Sequence, residues 1–104
     1  MTARRLSIVF WHPAARQIEE ASDWWRKHRE GSPDALSEDL VRTLDIIARQ
    51  PGIGSPAASQ RLKDVRRVLL PRVGYFLFYR VARRRSELQV LAFWHAKRGA
   101  SPKL

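Results

Sequence analysis

One histidine near the end of the chain stands in a short basic run, His95-Ala96-Lys97-Arg98, and the basic pair Arg66-Arg67 opens an apolar stretch some thirty residues earlier. Imidazole titrates close to neutrality, so His95 has the chemistry of a general acid or base. Arg67 and Lys97, with Arg66 and Arg98, are cations of the kind that stabilise a phosphorane. Cleavage of RNA by its own 2′-OH needs a base for the hydroxyl, cations for the developing charge and an acid for the leaving 5′-oxygen. Here the set His95, Arg67 and Lys97 is incomplete, because the stretch from Pro51 to Gln60 holds no Asp or Glu and no tyrosine follows Tyr79. His12 and His28 are weaker candidates. No histidine pair has ligand spacing with an acid, so neither a metal nor a cofactor is expected.

The same basic residues carry a second chemistry. From Arg61 to Leu104 there are twelve Lys and Arg against Asp64 and Glu87, whereas the first sixty residues are electrically neutral, so the formal +10 belongs entirely to the second part. A split this sharp in one small chain points to an acidic partner held against the basic part: nucleic acid, an acidic protein segment or an anionic membrane. Basic and aromatic residues alternate between Arg66 and Arg80, which suits phosphates on arginine and bases on rings. The docking candidates are Arg61, Lys63, Arg66, Arg67, Arg72, Tyr79, Arg80, His95, Lys97 and Arg98.

What positions these groups follows from pattern. The 104 residues, 44% apolar with ten aromatics, suffice for one domain with a real core. With no cysteine there is no disulfide or thiolate site, which fits a reducing compartment. No signal peptide or bilayer-spanning run is visible, so a cytoplasmic protein is expected. Leu6–Trp11 reads as a short buried strand. After Pro13, Ala14, Ile18, Ala21 and Trp25 mark one helix face; Trp24 lies about 100° round, against the second helix or at an interface. Ser32-Pro33-Asp34 restarts a helix with a cap, a proline and an acid, and Leu36, Leu40, Leu44 and Ile47, widened by Val41 and Ala48, line its face until Pro51. Pro51–Ser59 is a loop by composition. Val65–Leu70, Val73–Ala82 and Glu87–His95 then read as strands, the last two joined by a solvated turn at Arg83–Ser86. Trp11 and Trp94 are expected in the sheet core.

The expected fold is α+β, in the order β-α-α-β-β-β. It has an antiparallel sheet, a helical hairpin packed on one face and a basic, partly flexible tail at 97–104.

This order and its local signatures resemble the RelE/ParE superfamily, the toxins of type II toxin–antitoxin modules, from about Ile8 to Arg98. The likeness rests on the helix start His12-Pro13-Ala14-Ala15, the aromatic pair Trp24-Trp25, the Pro/Gly loop, the stretch from Arg66 to Val81 with Gly74-Tyr75 and Tyr79-Arg80, and the closing His95-Ala96-Lys97-Arg98. The resemblance implies one of two mechanisms on a shared fold. One is cleavage of mRNA in the ribosomal A site; the other is poisoning of DNA gyrase by binding. Ala96 stands where some ribonuclease relatives carry tyrosine, so the favoured expectation is a ParE-like plasmid-stabilisation toxin, non-enzymatic, poisoning gyrase. Its implied partner is a cognate antitoxin with an acidic C-terminal segment. The alternatives are a RelE-like ribonuclease acting on the ribosome, and a non-toxic nucleic-acid-binding domain.

Overall fold

The computed structural model describes residues 5–104. Its elements are β1 (Ser7–Phe10), α1 (His12–His28), α2 (Ala35–Arg49), β2 (Ser55–Pro56), β3 (Arg66–Leu70), β4 (Tyr75–Ala82) and β5 (Glu87–His95), with single 3-10 turns at Pro51–Ile53 and Arg83–Arg85. The expected α+β order holds, with two short β-residues added inside the expected loop. The five strands form one sheet in the order β1-β5-β4-β3-β2. Strands β2 to β5 pair antiparallel, but β1 runs parallel to β5, with Ile8 opposite Leu88, so the sheet is mixed rather than wholly antiparallel. The expected buried first strand is instead an edge strand, and Val9 and Phe10 are exposed. An apolar run alone does not say which strand it will join, or whether it will have one neighbour or two.

The helices cover one face of the sheet. Ala14, Ala21 and Trp25 of α1 and Leu36, Leu40, Leu44 and Ile47 of α2 pack with Leu70, Leu77, Tyr79, Leu88, Val90 and Phe93. Each fully buried large aliphatic side chain there contributes about 1.5–3 kcal/mol. Val41, expected to widen the α2 stripe, lies outside it and is 68% exposed. Ser32 does not cap α2 through its hydroxyl. Its carbonyl accepts the Trp25 indole N–H at 2.8 Å and the Ala35 amide, while Asp34 takes the cap position without a side-chain bond. Asp39 is buried on α2 and meets Arg42 at 3.1 Å and Arg72 at 3.6 Å, so Arg72 ties the β3–β4 turn to the helical layer.

A second, smaller cluster on the other face holds Val65, Phe78, Leu91 and Ala92, flanked by Trp11, Phe76 and Trp94. A β-bulge creates it. Phe78 pairs with Ala92 and Tyr79 with Val90, so Leu91 is an extra residue in β5. Leu91 and Ala92 therefore point to the same side, and Val90 and Phe93 both reach the helical core. Beyond the end of β1, the Phe93 N–H lacks a strand partner, and the Gln17 side-chain oxygen of α1 accepts it at 2.8 Å.

Candidate binding surface

The sheet sorts the candidate residues onto different surfaces. Arg67 pairs with Phe78 and Arg80 with Gln89, placing both arginines on the face away from the helices. There the Arg67 guanidinium lies 4.3 Å from the Phe76 ring centre. Arg80 donates to the Gln89 side-chain oxygen at 2.8 Å and sits 5.4 Å from the Trp11 ring. Arg98 lies 3.7 Å over Trp94. Cations held over rings keep their charge toward solvent and lose less entropy on meeting an anion, with each stack contributing about 0.5–1 kcal/mol at an exposed site.

His95 faces the other way. It pairs with Tyr75 on the helical side, edge-on to that ring at 5.0 Å, and its Nδ1 accepts the Lys97 amide N–H at 3.1 Å. In the neutral ring the proton is therefore on Nε2. With Glu20, Trp24 and Arg98 it lines a shallow cleft where α1 meets the end of the sheet. Trp24 is 44% exposed at this cleft and stacks on His28 at 4.5 Å. The set Arg67, His95 and Lys97 is thus not brought together, because the sheet separates Arg67 from His95. Among the described residues, no group of three or more His, Asp and Glu is placed to hold a metal. No helix among them is long and apolar enough to cross a membrane.

Three candidates are structural: Tyr79, Arg66 and, through Asp39, Arg72. Tyr79 is only 1% exposed and so leaves the docking surface. Its hydroxyl donates to the Pro51 carbonyl at 2.8 Å and accepts the Gly54 N–H at 2.9 Å, while Arg66 donates to the Gly54 carbonyl at 2.6 Å. The alternation of Tyr75, Leu77, Tyr79 and Val81 signals the face but not the depth, which comes from the loop folding over the ring. Burial pushes the Tyr79 hydroxyl above the ordinary tyrosine value of 10.0, against the opposing pull of the Gly54 amide and Arg66. A raised pKa means that the folded state holds the proton more tightly. The resulting stability is complete below about pH 10 and is lost as pH rises through the folded value. Tyr79→Phe should cost about 1–3 kcal/mol at neutral pH, because it leaves a buried N–H and C=O unpaired. Melting curves above pH 10 should then fall less steeply for the variant than for the native chain. Tyr75, whose hydroxyl burial also raises, contributes to the slope that remains.

Arg61, Lys63, Lys97 and Arg98 are exposed. Residues 97–104, expected as a tail, follow a turn after His95 and run back across the open face. The Trp94 indole N–H donates to the Ala100 carbonyl at 2.6 Å. The Leu104 main-chain oxygen accepts from Ser59 Oγ at 3.3 Å and Arg61 Nε at 3.4 Å, and its side chain packs against the second cluster. Sequence reasoning missed this contribution of Trp11, Leu91, Ala92 and Leu104. The only local signal for it was the adjacent apolar pair Leu91-Ala92, which breaks strict alternation in β5.

A sequence profile described as the ParE toxin of the type II toxin–antitoxin system, parDE, matches residues 8–99. No curated protein matches the sequence. Among solved structures, the chain is similar to one from the chromosomal ParDE system of P. aeruginosa, with a TM-score of 0.69 at 20% identity over 89% of this chain and 98% of that one. It is also similar to a chain of the RelBE2 toxin–antitoxin complex of Mycobacterium tuberculosis, with a TM-score of 0.64 at 17% identity over 88% and 99%. The isolated E. coli RelE toxin matches with a TM-score of 0.55 at 21% identity over 90% and 87%. At these identities the likeness is one of fold.

Proposed function

The chain belongs to the ParE toxins of type II toxin–antitoxin systems, and from that membership we propose that it arrests growth by binding and poisoning DNA gyrase and is neutralised by a cognate antitoxin with an acidic segment. What supports binding over catalysis is the separation of Arg67 from His95 by the sheet. The open face then offers arginines seated on aromatic rings as contacts. Arg67, Arg80 and Arg98, with Arg61, Lys63 and Lys97, form the target or antitoxin surface. Such a protein acts in the cytoplasm, where gyrase and its DNA are, and with its antitoxin would serve plasmid stabilisation.

Incubated with gyrase and a plasmid, the purified protein should block supercoiling and accumulate cleaved DNA, and it should leave mRNA intact in a translation extract. The opposite pair of results would overturn the reading. The cleft holding Glu20, His95 and Arg98 favours a second reading, a ribosome-dependent endoribonuclease, since it supplies one carboxylate that the Pro51–Gln60 loop lacks. In that case His95→Ala would abolish growth arrest. Full toxicity of this variant would remove the ribonuclease reading.

A further inference from the structure

The β1 edge of the sheet is open and apolar. The Ser7 amide donates to the Ser86 carbonyl at 3.1 Å and the Trp11 amide to the Val90 carbonyl at 3.0 Å, so alternate residues Ser7, Val9 and Trp11 turn their main-chain groups toward β5. Ile8 and Phe10 turn theirs outward, to the side where the Leu6 amide meets the Ala48 carbonyl. Among the described residues, no hydrogen bond outside the β1–β5 ladder reaches the main-chain groups of Ile8 or Phe10. Both faces of the edge carry exposed apolar side chains. Phe10, 42% exposed, lies on the helical side with Ile8, and Val9, 38% exposed, lies on the other. Ser7–Phe10 has none of the lysines or prolines that blunt an edge strand.

We propose that this edge pairs with β1 of a second copy of the chain, antiparallel across a twofold axis through Val9. Ile8 of each copy then faces Phe10 of the other, and every outward main-chain group of both residues finds a partner. Val9 meets Val9 of the second copy as a close pair without hydrogen bonds. Such an interface is isologous, so assembly stops at the dimer. Charge selects this occupant. Each copy carries +10 and repels another over most of its surface. β1 carries no charge, however, and β5 beside it holds no Lys or Arg. Because Ser86 lies against Ser7, antiparallel pairing sends the two Arg83–Arg85 turns to opposite ends of the seam. An acidic segment would find its cations on β3, β4 and the tail rather than along this strand. A seam of four-residue strands is small, so the expected dissociation constant is about 10–100 μM, falling as salt screens the repulsion. The inference does not depend on what the toxin poisons.

The experiment is sedimentation equilibrium of the full chain from about 5 to 500 μM, with amide hydrogen exchange by NMR at both ends of that range. The variants are Val9→Lys and Val9→Glu, each at an exposed position and each checked for native melting. The native chain should dimerise with concentration, more tightly at high salt, and the Ile8 and Phe10 amides should gain protection as it does. Either variant alone should associate at least about tenfold more weakly. An equimolar mixture of the two should recover association, because Lys then faces Glu across the axis. A native chain that stays monomeric at every concentration and salt would overturn the proposal, as would a dimer indifferent to both variants. Protection of Ile8 and Phe10 that persists on dilution would mean that the chain covers its own edge. Protection produced by a peptide of alternating Glu and Val, but not by concentration, would assign the edge to an acidic partner and sink the dimer.

Discussion

Gly54→Ala should destabilise this protein by overpacking where Gly31→Ala, Gly52→Ala and Gly99→Ala meet open space. A Cβ there would lie 2.5 Å from the Tyr79 hydroxyl and 2.9 Å from both the Arg67 carbonyl oxygen and Tyr79 Cε1. Neither neighbour can yield cheaply. The carbonyl is main chain in β3, and the tyrosine ring is buried with its hydroxyl bonded to Pro51 and Gly54. Overpacking costs about 1–3 kcal/mol, and moving the hydroxyl out of reach of either partner adds about 1–3 kcal/mol. For a chain of this size each kcal/mol lowers the midpoint by about 4–8 °C. Thermal unfolding of the purified variant should therefore begin at least about 10 °C below the native chain. A midpoint within about 2 °C would mean that the loop and ring relax freely, and Gly54 would then not be the anchor of the loop. Gly52→Ala is the matched control, because its Cβ meets nothing within 4 Å.

The second large effect is functional. Reversing both open-face arginines, Arg67→Glu with Arg80→Glu, should leave the fold standing and remove most of the toxic activity. Their rings contribute only about 0.5–1 kcal/mol each to stability. If each guanidinium supplies about 1.4 kcal/mol of target contact, each reversal costs tenfold, and the pair about a hundredfold. Growth arrest on induction and gyrase inhibition should fall together, while circular dichroism and melting stay near native. Unchanged toxicity in the double variant would place the target surface elsewhere, at the Trp24–His95 cleft first of all.

Much of the fold was legible because its signals are local. The bounds of β5, Glu87–His95, follow from composition alone, and the α1 stripe through Ala14, Ala21 and Trp25 follows from period. The pairing of β1 with β5 was not legible, since a short, mostly apolar run carries no mark of parallel or antiparallel register. Nor was the reach of Ser59 and Arg61 to Leu104, which depends on where two distant segments end up.

For the candidate site, residue types were readable but their faces were not. Arg66 and Arg67 are neighbours in sequence yet serve opposite sides of the sheet, one holding the Gly54 carbonyl and the other open to solvent. Period-2 alternation predicts such a split within a strand. It could not show that His95 would fall on the side opposite Arg67, because that depends on the register that sets Arg67 against Phe78 and His95 against Tyr75, three residues away on β4.

The parallel seam between β1 and β5 also sets a timetable for the newborn chain. The first strand made can join only the last, and that last strand lies between β1 and β4 in the sheet. During translation the helical hairpin can form early, but its apolar stripe has no completed sheet to cover until β5 has left the ribosomal tunnel. Contacts spanning nearly the whole chain slow such closure. Until then the helical stripe stays uncovered and β1 lacks the strand that it pairs with.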